Sequence, residues 1–129
     1  MATYGPLFTK TYPASGDLSS YQYHFMTLDT DGQVSLAGAT DPICGILQNN
    51  PDAENEPASV GFSGFSKLRV DGNSVNIANE DKLAANASGH GAKTTTDLDD
   101  FGAIAREAST ADGDIIRVEI KTGGLVSAS

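Results

Sequence analysis

The sequence predicts an all-β fold: a small β-barrel or β-sandwich-like domain with an internal two-fold sequence pseudo-repeat and an extended N-terminal arm. Three observations carry this. Residues 29–62 and 86–120 read as two copies of one pattern, in which Gly32 matches Gly89 and Gly45 matches Gly102, each pair 57 residues apart. Both copies close on alternating apolar positions, Ala58, Val60 and Phe62 in the first and Ile116, Val118 and Ile120 in the second, a period of two that marks a half-buried strand. Those pairs lie 58 residues apart, as expected if the second copy carries one extra loop residue. Finally, each copy is punctuated alike: a short strand, an Asp/Asn/Gly turn, a polar strand, a loop, a Gly-led apolar strand, a long polar loop and the closing strand. Two copies are too few for a solenoid and make a pseudo-symmetric β domain.

In chain order, residues 1–23 form the expected arm. Pro6, Pro13 and Gly16 interrupt any helix, and the segment carries Tyr4, Phe8, Tyr12, Tyr21 and Tyr23 with only two charges, Lys10 and Asp17. Such an arm either packs over its own barrel or docks on a partner with its aromatic residues as anchors, and the sequence leaves both open. The β domain spans residues 24–122. Residues 21–28 alternate as a strand, and His24 within it has no Cys, His or carboxylate at ligand spacing. Asp29, Thr30, Asp31 and Gly32 make a tight turn, because the glycine and glutamate that a calcium loop requires at its sixth and twelfth positions are missing. Cys44, between Ile43 and Gly45, reads as a small buried hydrophobe. Residues 48–57 form a solvated loop stiffened by Pro51 and Pro57. Leu68 and Val70, then Asp71, Gly72 and Asn73, then Val75 and Ile77, predict a β-hairpin over residues 65–77 with Gly72 at positive φ. Residues 79–87 are locally helical but too short to be stable alone. Residues 103–109 also favour a helix locally, and the repeat assigns them to a strand instead. Residues 123–129 are read as a flexible C-terminal tail.

Composition narrows the function. With 129 residues the chain has the size of one domain, and about 21% Leu, Ile, Val and Phe without any Trp gives a thin core. A subunit that borrows burial from neighbours fits such a core. The net charge of −9 would repel DNA or RNA, so no nucleic acid is expected as a partner. One cysteine allows no internal disulfide, and no apolar run is long enough for a membrane span, so a soluble protein of a reducing compartment is expected, with no membrane partner. Residues 61–64 lack the last glycine of a nucleophile elbow, and Gly89, His90 and Gly91 lack the third glycine of a dinucleotide loop. Asp97, Asp99 and Asp100 are the one carboxylate cluster, read as a solvated loop. No enzyme, cofactor or metal site is predicted.

The ordered pattern carried by residues 29–32, 45–48, 60–62, 86–89, 102–106 and 117–120 resembles the capsid cement or decoration proteins of tailed bacteriophages, the DUF2190 family. The resemblance spans roughly residues 17–121. The Tyr-rich leader lies outside it in part, and residues 67–82 depart from an Ala/Gly-rich segment usual there. The resemblance implies a non-enzymatic protein made in the host cytoplasm and carried on the outer capsid surface of the virion. It implies the major capsid protein as partner, a homotrimer at three-fold or quasi-three-fold positions, and reinforcement of the shell, with Tyr4, Phe8, Tyr12 and Tyr21 as capsid-binding residues. A carbohydrate-binding or tail-fibre-type β module is the alternative. It would show aromatic platforms at loop tips, whereas these aromatics lie in the leader and on strands.

Overall fold

A computed structural model describes residues 7–39, 41–94 and 102–121. Within them the chain forms β1 (Leu7–Pro13), β2 (Phe25–Leu28), β3 (Val34–Leu36), β4 (Gly45–Leu47), β5 (Pro57–Asp71), β6 (Lys82–Ala85), β7 (Gly91–Lys93), β8 (Ala103–Ala105) and β9 (Asp112–Lys121). The all-β expectation holds, and the strands join in one sheet. In its second half the order is β5-β7-β6-β8-β9, and β9 pairs back onto β5 to close a five-strand barrel. The first half repeats the arrangement: β1 and β4 flank the start of β5, β2 and β3 follow, and a parallel bridge from Val34 to Ala14 returns to the end of β1. We call the halves unit one and unit two; β5 contributes its first part to one and its last part to the other.

The duplication is visible bond by bond. In the β2–β3 ladder Met26 faces Leu36, Thr27 faces Ser35 and Leu28 faces Val34; in the β6–β7 ladder Leu83 faces Lys93, Ala84 faces Ala92 and Ala85 faces Gly91. The Asp29 carboxylate accepts the N–H groups of Asp31 and Gln33, both at 2.9 Å, as the Asn86 side-chain oxygen accepts those of Ser88 and His90 at 2.8 and 3.1 Å. Gly32 and Gly89 sit in the left-handed region at φ 83° and 75°, the conformation that selects glycine at both turns. Tyr23 and Glu80 share it at 67° and 78°, each donating its N–H at 2.7 Å, to Leu47 O and Ala105 O respectively.

The duplication also reaches further than the sequence pattern. Thr9, Lys10, Thr11 and Tyr12 face Gly61, Val60, Ser59 and Ala58, just as Phe65, Ser66, Lys67 and Leu68 face Glu119, Val118, Arg117 and Ile116. The parallel bridge Ala14–Val34 recurs as Val70–Gly91. The described part of the arm is therefore extended, as expected, and it is the first strand of unit one. Residues 9–14 correspond to 65–70, residues 21–37 to 78–94, and residues 44–60 to 102–118, so the offset steps through 56, 57 and 58. Gly45 and Gly102 are accordingly out of register by one. Cys44 N–H reaches Met26 O at 2.9 Å where Gly102 N–H reaches Leu83 O at 2.8 Å, so Gly102 matches Cys44 and the extra residue enters before β8.

The hairpin expected over residues 65–77 does not form. Leu68 and Val70 lie inside a β5–β9 ladder running from Ser63 to Asp71, a far longer pairing than a local hairpin could offer. Beyond it the Asp71 carboxylate accepts the N–H groups of Asn73 and Ser74, and Ile77 exchanges backbone bonds with Ser109. Gly72 is not at positive φ; what excludes a side chain there is Ser109, whose carbonyl oxygen would lie 2.4 Å from an added Cβ. Residues 82–85, locally helical by sequence, are β6, and the strand assignment for 103–105 holds. The tail at 123–129 and the Asp97, Asp99 and Asp100 loop lie outside the described residues.

Two core clusters follow from the two units. Ala14, Met26, Val34, Leu47, Ala58 and Val60 fill unit one, with Tyr12 and Tyr21 packed against them. Leu68, Val70, Leu83, Ala105, Ile116 and Val118 fill unit two, and Phe25, Ile43 and Ile46 of unit one join them. Unit one thus seals one side of unit two, and Phe25 N–H to Gly89 O at 2.9 Å ties the seam. Each fully buried large apolar side chain contributes about 1.5–3 kcal/mol.

Candidate functional site

The sequence placed its candidate site on the aromatic anchors of the leader, and the structure separates them. Tyr4 lies outside the described residues. Phe8 projects from β1 and is 57% exposed. Tyr12 and Tyr21 are half-buried and pack against the unit-one core; Lys10 Nζ lies 5.8 Å from the Tyr12 ring, and Tyr21 stands edge-on to His24 at 5.4 Å. Tyr12 occupies the place of Leu68 in unit two, which explains why a tyrosine here faces inward.

Two groupings escaped the sequence reading. At the seam, His24 is buried and its ring centroid lies 4.9 Å from that of His90. His24 Nδ1 lies 3.2 Å from Gln22 O, and His90 Nδ1 lies 2.9 Å from the Asp112 carboxylate. Burial chiefly, with the nearby charges of His90 and Arg69, holds the His24 pKa below its usual value. Among the described residues no three His, Cys, Asp or Glu side chains converge as a metal site would require. Cys44 is half-buried, and burial pushes its thiol up to about 11, so at neutral pH it is a protonated thiol rather than a nucleophile.

The second grouping is a groove of about 340 Å³ on the outer face of unit two, lined by Tyr23, Lys67, Glu107, Ile115, Ile116 and Arg117. Strand alternation builds it: Leu68 and Ile116 point into the barrel, so Lys67 and Arg117 point out, directly opposite each other across the ladder. Arg69 and Ile115 form the next outward pair. Lys67 Nζ lies 5.8 Å over the Tyr23 ring, Arg69 Nη1 donates to Gly113 O at 2.7 Å, and Glu107 Oε1 accepts the backbone N–H of Arg117 at 2.7 Å. The groove joins cations to apolar surface. Finding it from sequence would have required knowing that residues 65–70 pair with 114–119.

No family model matches the chain, so membership of the decoration-protein family it resembles is not shown. No curated protein matches it either. Among solved structures the chain is similar to the head fiber gp8.5 N base of bacteriophage phi29, with a TM-score of 0.67 over 91% of this chain and 96% of that one, at 15% sequence identity. At that identity the likeness is one of fold.

Proposed function

We propose that this chain is a structural protein of a bacteriophage head, attached to the outer surface of the assembled shell through contacts with the major capsid protein. The observation that carries the reading is the fold shared, over nearly the whole of both chains, with the base of a phage head fibre. The acidic composition supports it, because a net charge of −9 suits the exterior and is ill suited to the DNA-facing side. In this reading the protein is non-enzymatic, reinforces the shell as a decoration protein, and acts as a trimer at three-fold or quasi-three-fold positions. Co-sedimentation of the purified chain with undecorated heads of the parent phage tests it: saturable binding is expected, at a multiple of three copies per site, together with heads that release their DNA at a higher temperature. Failure to sediment with heads would overturn it.

The neighbour's name favours a second reading, in which the domain is the shell-attached base of a fibre. Filaments protruding from decorated heads would distinguish that from a bare clamp.

A further inference from the structure

The two units provide an internal control for every surface side chain. Where a feature occurs at matching positions in both, the backbone can account for it; where it occurs in one only, the backbone does not require it. The outer face of the β5–β9 ladder is such a case. In unit two it carries Lys67 and Arg69 opposite Arg117 and Ile115. The same positions of the β1–β5 ladder in unit one hold Thr11 and Pro13 opposite Ser59 and Pro57, with no charge among them. The loop contact behind the face is conserved between the units as well, since Asn49 Oδ1 accepts the Ser59 N–H at 2.9 Å where Glu107 accepts that of Arg117. The ladder therefore forms without cations, yet unit two gathers three of the eight Lys and Arg residues of an acidic chain on one face.

Lys67 and Arg117 are direct cross-strand partners, so the ladder brings two cationic side chains to one spot on the outer face. Lys67 and Arg69 are held by neutral groups, the Tyr23 ring and the Gly113 carbonyl. Beside the cations the face offers Ile115, 42% exposed, and the half-buried Tyr23, which give apolar contact within a groove. Glu107 is the one carboxylate lining it, and its Oε1 is tied to the backbone.

We infer that this groove is a docking site for an extended, carboxylate-bearing segment of a partner protein, whose acidic side chains meet Lys67 and Arg117 and whose apolar side chains lie on Tyr23 and Ile115. Charge complementarity selects an acidic occupant, and the apolar floor selects a peptide that alternates acidic and apolar residues. A nucleic acid fits less well, because the net charge of −9 repels a polyanion at long range. The partner's identity as the shell protein rests on the reading above; the chemistry of the groove does not.

The test has two arms. In the first, the full chain, labelled with ¹⁵N, is titrated with acetyl-Asp-Leu-Asp-Leu-amide or with its Asn-containing analogue. Shift changes at Tyr23, Lys67, Ile115 and Arg117 are expected with the acidic peptide alone, with binding about tenfold weaker in Lys67→Glu. Equal responses to both peptides, or none at millimolar concentration, would overturn the inference. Lys67 is exposed, so the melting temperature of Lys67→Glu is expected to stay close to that of the wild type, and lost binding could not be ascribed to unfolding. The second arm is head co-sedimentation with Lys67→Glu and with Thr11→Glu, the matching change in unit one. If the wild type and Thr11→Glu bind heads and Lys67→Glu does not, the groove is the shell contact. If all three bind equally, the groove is not the shell contact and that assignment falls. If none binds heads while the acidic peptide still shifts the groove, the head reading fails and the acidic-segment site stands.

Discussion

At the scale of single residues, His24 is the group whose chemistry departs most from what its sequence neighbourhood shows. It lies between the Tyr21 turn and β2, against His90 from the equivalent of a different loop, with Arg69 also near. Its folded-state pKa is lowered from 6.5, mainly by burial. Below pH 6.5 the unfolded chain therefore takes up a proton on this residue that the folded chain resists, and stability falls as the pH drops through that value towards the folded pKa. The slope from one such proton is at most about 1.4 kcal/mol per pH unit. Urea unfolding between pH 7.5 and 5 is expected to show this decline, and His24→Gln to flatten it. An unchanged slope in the variant would show that His24 is not the source of the acid sensitivity.

At the scale of elements, β1 is a structural strand of unit one. As an independent arm, the leader could be cut away at residues 2–15 and leave a folded domain. The pairing contradicts that: β1 covers the first part of β5 along its length, and Ala14 is fully buried. Removal of residues 7–14 takes from unit one the strand that the last part of β5 supplies to unit two. It is expected to lower the melting temperature by more than about 10 °C or abolish the transition, since loss of a few kcal/mol moves a domain of this size by that much. A truncated chain that melts like the intact one would return the segment to the status of an appendage. Asp29 with Gly32 and Asn86 with Gly89 could be read from the sequence, because the turn they share dictates residue types. The pairing of 9–14 with 65–70 could not, because Tyr12 and Leu68, or Ala14 and Val70, share only an inward direction, and the offset there is 56 where the readable part shows 57. Core volumes are traded between the copies as well: Leu47 and Ala58 in unit one stand where Ala105 and Ile116 stand in unit two, so identity is lost while filling is kept. The same holds for residues 65–77, where local alternation around Asp71 and Gly72 carries no sign that β9 is the better partner. For the site, exposed aromatics were legible as residue types, but their direction was not, and the cation face existed only once β5 and β9 were paired.

At the scale of the whole molecule, two units of one design have diverged in what they present to solvent. Unit one turns Phe25, Ile43 and Ile46 towards unit two and carries an uncharged ladder at Thr11, Pro13, Pro57 and Ser59. Unit two has Lys82 at the position of Phe25, and it carries the Lys67, Arg69 and Arg117 face. This division of labour suits a protein that must be self-sufficient as a domain and adhesive on one side, as the head-surface reading requires. The most direct measurement is cryo-electron microscopy of the parent virion. Density for paired five-strand barrels is expected on the outside of the shell at three-fold or quasi-three-fold positions, with the Lys67 and Arg117 face turned to the capsid protein. Density inside the head, at the tail tip, or nowhere on the particle would contradict it.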